Sequence, residues 1–177
     1  MNRMFRIWMV AIGLCTLPAV AGADTFMLIQ GVAGDATDPA HKGWIRISSV
    51  DWAVSSPTTI GSATGGAGAG KTTGDELHLT IPTGPWSREF VNTLTRGAHF
   101  TQVVIEHINT DGRPSYRVAI QTLFLTKYQI AATSKAQPED QITGVFGGFR
   151  VEYFAVTAEG KVTSSPVGWN LVTNTAN

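Results

Sequence analysis

The chain has 177 residues, 43% of them hydrophobic and 15% charged, which is matter for one ordinary domain with a real core. Its 13 Lys and Arg balance 13 Asp and Glu, which excludes the basic field that nucleic acid or an anionic membrane surface requires. A single cysteine, Cys15, excludes a disulfide framework.

The first residues differ in kind from the rest. Arg3 and Arg6 make a basic start, Ile7 to Leu17 form an apolar run, Pro18 interrupts it, and Ala21-Gly22-Ala23 offers small residues for cleavage. This pattern predicts a signal peptide over 1–23 and a single domain over 24–177. The apolar run falls short of the about 20 residues that a membrane span needs, so no stable anchor is expected after cleavage. Leu14, directly before Cys15, is too large for a lipoprotein signal. Cleavage would leave a cysteine-free, slightly negative chain in the periplasm or outside the cell.

Asp24 to Gln30 reads as a strand. "GDATDPAHKG" then gathers Asp35, Asp38 and His41, a set that invites a metal reading, but Asp38 before Pro39 and the bracketing Gly34 and Gly43 fit turn chemistry better. The strand from Gly43 breaks strict alternation. One extra residue at Ser48-Ser49, a β-bulge, would put Ile45, Ile47, Val50 and Trp52 on one buried face and turn Arg46 and Asp51 outward.

Next comes "GGAGAGKTT", in which Gly65, Gly70, Lys71 and Thr72 satisfy the phosphate-loop pattern G-x-x-x-x-G-K-[ST]. That chemistry needs a buried strand before the loop and a helix directly after it, so that the helix N-terminus faces the phosphates. Upstream lies the polar, Pro57-interrupted "SSPTTIGSAT"; downstream, Leu77, Leu79 and Ile81 alternate with Glu76, His78 and Thr80 as in a half-buried strand. Neither flank fits, and the glycines between Gly61 and Gly74 suit an extended, mobile loop rather than a helix or strand. No nucleotide and no cofactor is expected.

Pro85 to Gly97 sets Trp86, Phe90, Val91 and Leu94 at helical spacing, begins on Pro and ends on Gly, which predicts one short amphipathic helix. Beyond it, strands are expected from Phe100, Tyr116 and Phe149, divided by turns at Thr110-Asp111-Gly112, Pro138-Glu139-Asp140 and Ala158-Glu159-Gly160. His99 and His107 share a strand face with Val103 and Ile105 and read as packed or edge histidines. Trp169 reads as a plug closing the core, with a ligand platform as the alternative. There is no G-x-S-x-G turn and no nucleophilic cysteine in the mature chain, so no enzyme is expected and no catalytic or metal residue is assigned. The fold class is mainly β, a two-sheet barrel or sandwich carrying one helix.

Three segments taken together resemble the haemolysin-coregulated protein (Hcp) family of type VI secretion: "ADTFMLIQGVAGDATDPAHKGWIRISSVDW", "GGAGAGKTTGDELHLT" and "VFGGFRVEYFAVTAEGKVTSSPVGWNL". The resemblance implies a compact two-sheet β-barrel that assembles with itself into hexameric rings. Such rings stack into the tube of an injection machine, are exported, and carry effector proteins in the lumen. It implies that Gly61, Gly65, Gly66, Gly68, Gly70, Lys71 and Thr72 belong to a subunit-contact loop, with Lys71 as an interface cation. The predicted signal peptide departs from the family, whose tube proteins leave through their own machine. It favours an alternative, a secreted Hcp-like binding or virulence module that builds no tube.

Overall fold

The computed structural model describes residues 22–59 and 68–176. The predicted signal peptide, apart from Gly22 and Ala23, lies outside the described residues, as do Gly61, Gly65 and Gly66. The elements in chain order are β1 (Asp24–Ile29), β2 (Ile45–Ile47), β3 (Ser49–Asp51), β4 (Val54–Ser55), β5 (Thr58–Thr59), β6 (Gly68–Ala69), β7 (Thr73–Gly74) and β8 (Leu77–Pro82). Then follow α1 (Ser87–Thr95), β9 (His99–Ile108), β10 (Pro114–Thr133), β11 (Ala136–Val156), β12 (Val162–Asn170) and β13 (Thr175–Ala176).

One antiparallel sheet runs β13-β12-β11-β10-β9-β1-β2, and β8 joins it by pairing with both β11 and β3. The strand predicted from Gly43 is divided at Ser48. Before that residue it pairs with β1, Met27 opposite Ile45; after it, with β8, Val50 opposite Leu79. The break gives the faces expected of the bulge, with Ile45 and Ile47 buried and Arg46 and Asp51 exposed. Its cause is a change of partner, marked by the Ser48 N–H donating to the Thr80 carbonyl at 2.8 Å. A barrel-like sandwich results, with this divided strand crossing from one layer to the other.

The hairpin of β10 and β11 spans both layers and turns its faces over midway. Val118 and Ile120 point inward in the first part of β10, but Leu123 and Leu125 do so in the second. Thr122 makes the change with φ at +53°, a conformation rare for a β-branched residue. Across the ladder, β11 switches between Phe146 and Phe149 through Gly147 and Gly148, where an added Cβ at Gly148 would stand 3.1 Å from the Trp169 carbonyl oxygen. No strict period of two survives such a switch.

The predicted turn at Pro138-Glu139-Asp140 is corrected. These residues lie inside β11, Glu139 opposite Pro82 and Asp140 opposite Ile81, and the chain reverses at 134–135 instead. Proline is accommodated because the β10 ladder slips between Ala131 and Thr133, while the Pro138 carbonyl still accepts from Thr83 N at 2.9 Å. The turns ending on Gly112 and Gly160 form as expected, both glycines at positive φ.

Helix α1 falls within its predicted span and ends at Gly97, which adopts a φ of +62°. It buries Phe90 against Phe100, ring centroids 5.7 Å apart, and Trp86 anchors its start through an indole N–H to the Pro82 carbonyl at 3.0 Å. The helix has no side-chain cap of its own. Asp140, fully buried on β11, stands at its N-terminus and accepts from Thr83 Oγ1 at 2.7 Å and from Ser87 Oγ. A carboxylate there meets the positive end of the helix dipole. Burial, with Asp140 nearby, pushes the Tyr128 phenol up.

Candidate subunit-contact arm

The glycine-rich stretch is a correction in part: its described residues form the return strand of a two-stranded ribbon rather than a free loop. Chain leaving β3 runs out as β4 and β5 and comes back as β6 and β7, with Thr59 opposite Gly68, Thr58 opposite Ala69, and Ser55 opposite Thr73. Between the short ladders, Gly70 N donates to the Pro57 carbonyl at 2.7 Å and Ser56 Oγ to the Gly70 carbonyl at 3.3 Å. At the base, Asp75 N donates to the Ala53 carbonyl at 2.9 Å. A two-stranded ribbon with so little apolar matter depends on these backbone bonds.

Glycine at two positions answers to close approach inside the chain. A Cβ at Gly70 would lie 2.7 Å from Pro57 Cγ, and one at Gly74 would lie 2.8 Å from Leu171 Cδ1 and 3.0 Å from Phe146 Cζ. Residues 68–74 lead into β8 and not into a helix. The Thr72 N–H, which a phosphate loop would offer to a ligand, donates to Asn174 Oδ1 at 3.1 Å. Lys71 is exposed and makes no hydrogen bond or ion pair with the described residues.

Other candidates settle into structural roles. Asp38 Oδ1 accepts from the backbone of Ala40 and His41, each at 3.0 Å, and contacts His41 Nδ1 at 2.7 Å. The His41 hydrogen bond holds the Asp38 carboxyl below its ordinary value. His41 is buried on the outer side of β1, stacked on Phe26 and edge-on to Trp44. Its Nε2 lies 3.6 Å from buried Glu106, which Arg117 grips through Nε and Nη2, both at 2.6 Å. Asp35 is not drawn in, and among the described residues no group of acidic, His or Cys side chains suits a metal ion. His107 bonds Thr25 Oγ1 at 2.9 Å and stacks on Tyr116; His99 lies exposed against Phe124. Trp169 packs half-buried against the core and donates Nε1 to Asn174 Oδ1 at 3.3 Å, nearer the plug than the platform.

Sequence reasoning missed Glu106, Asp140 and Asn174, each of which has at least one partner far away in the chain. Glu106 carried one signal, a charged residue inside the apolar "VVIEHI".

The family described as "Type VI secretion system effector, Hcp" matches residues 26–153, well over half of the sequence. The chain belongs to the Hcp family. No curated protein sequence matches it. Among solved structures, this Hcp is similar to one described as "Structure of a type six secretion system protein", at 25% identity and a TM-score of 0.79, covering 87% of this chain and 99% of that one. Hcp1 from Salmonella typhimurium shares the fold at 17% identity and a TM-score of 0.72, covering 88% and 99%. A type VI secretion system effector from Yersinia pestis does so at 17% identity and 0.65, covering 83% and 99%. The expected β architecture with one helix is thus that of Hcp, a family of secreted type VI proteins and not of enzymes.

Proposed function

We propose that this Hcp joins head to tail into rings, six subunits as the family resemblance implies, that stack into a type VI secretion tube and carry effector proteins in the lumen. The arm carries the reading. It leaves the barrel as a narrow ribbon, its exposed Lys71 lacks a partner among the described residues, and its strands have backbone groups to offer a neighbour. Outward-facing Phe124 and Val145, directly paired on β10 and β11, supply apolar surface for a subunit contact. The contact residues are Gly61, Gly65, Gly66, Gly68, Gly70, Lys71 and Thr72, with Lys71 meeting an acidic or carbonyl group next door.

The basic and apolar start of the sequence favours a second reading, a chain exported by its signal peptide that keeps the ring fold as a binding module without building the tube. Light scattering after gel filtration of residues 24–177 separates the two. A mass near six subunits supports the ring; a monomer at high concentration moves the binding module to first place. Lys71→Glu is expected to keep the subunit folded and to abolish stacked tubes in electron micrographs, and normal tubes would remove Lys71 from the interface.

A further inference from the structure

Chain after β12 folds back on itself and touches the arm at its root. Asn170 Oδ1 accepts from Val172 N and Thr173 N at 2.9 and 3.0 Å, closing a tight turn, and β13 returns along β12 with Asn170 opposite Thr175. Leu171 is pinned by its N–H to the Gly147 carbonyl at 2.9 Å and lies against Gly74, where no side chain fits. Asn174 adopts a φ of +57°, and its Oδ1 accepts from Thr72 N on the arm and from the Trp169 indole on the barrel. Asparagine is among the few residues that tolerate this conformation while offering a side-chain acceptor.

We propose that the C-terminal hairpin, residues 170–176, is a clamp on the arm and that Asn174 is the positioning residue which sets the arm's direction. One side-chain oxygen ties the return strand of the arm to a tryptophan of the barrel. Leu171 against Gly74 is the second, apolar jaw. Between them these contacts hold the return strand at Thr72 and Gly74, so the ribbon reaches its neighbour in one orientation. The consequence for ring stacking rests on the ring reading given above; the clamp itself does not.

The amide that Asn174 holds belongs to the Lys71–Thr72 peptide bond, which is the bond trypsin cuts after Lys71. Limited trypsin digestion of the mature chain, with cleavage at Lys71 followed by mass spectrometry, therefore reads the clamp directly. Asn174→Gly keeps the left-handed backbone and removes the acceptor; Asn174→Asp keeps both. Cleavage at Lys71 is expected to run about fivefold faster in Asn174→Gly than in the wild type, with an unchanged melting temperature, and to return to the wild-type rate in Asn174→Asp. Equal rates in all three would overturn the proposal. So would an Asn174→Gly chain that is cut faster at every Lys and Arg, since that marks general unfolding. If the wild type is monomeric yet Lys71 cleavage follows the expected order, the clamp stands and the ring reading fails. If rings form, Asn174→Gly is expected to leave their mass intact and impair their stacking.

Discussion

The barrel interior and the arm are built from the same backbone bonds but stabilised by opposite means. Inside the barrel, Met27, Ile105, Val118, Ile120 and Phe90 are fully withdrawn from water, and each packs within one contiguous apolar core. Along the described arm, hydrogen bonds and two glycine contacts replace buried side chains. Stability therefore resides in the first region, and exposed side chains of the arm such as Lys71 can vary without costing the fold, whereas Gly70 and Gly74 cannot.

Substitutions grade that contrast. Phe90→Ala removes a fully buried ring that packs on Phe100 and is expected to cost about 3–5 kcal/mol in urea unfolding; a cost under about 1 kcal/mol would mean that the helix is not part of the cooperative core. Asp140→Ala leaves the hydroxyls of Thr83 and Ser87 without their acceptor and the helix start without its carboxylate, an expected loss of about 2–3 kcal/mol by the same measurement.

A smaller effect belongs to acid pH. Because the Asp38 carboxyl is held below its ordinary value in the folded chain, its contribution is present above the unfolded value and is lost as pH falls through the folded one, below about pH 4. Melting temperatures followed downward from about pH 6 should fall less steeply in that window for Asp38→Asn than for the wild type; identical curves would detach Asp38 from acid stability. Least affected is the arm. Lys71→Glu, exposed and unpaired among the described residues, is expected to change stability by less than about 0.5 kcal/mol. A large loss would show that the arm is part of the core after all.

Much of the architecture was legible in single elements. Leu77, Leu79 and Ile81 announced β8 through their alternation, and Trp86, Phe90 and Leu94 announced α1 through helical spacing. The turn assigned to Pro138-Glu139-Asp140 failed because residues that favour turns also fit a strand where a ladder slips, and a ladder lies in two segments at once. Of the arm, composition disclosed the glycines and the wrong flanks for a phosphate loop. The ribbon stayed hidden, since β4 to β7 are two residues each and carry no period. The polar anchors stayed hidden too, because nothing near Asn174 in the chain points to Thr72, and nothing near Glu106 points to Arg117 and His41 together.

By itself the sequence determined the β class, the helix, the buried faces of β2 and β8 and the kinship with Hcp, because apolar periodicity and residue order are properties of consecutive positions. Tertiary structure alone decided which strand Ser48 hands over to, where β10 turns its face at Thr122, and what holds the root of the arm. These depend on groups that meet only when distant parts of the chain are packed, and no local preference encodes such a meeting.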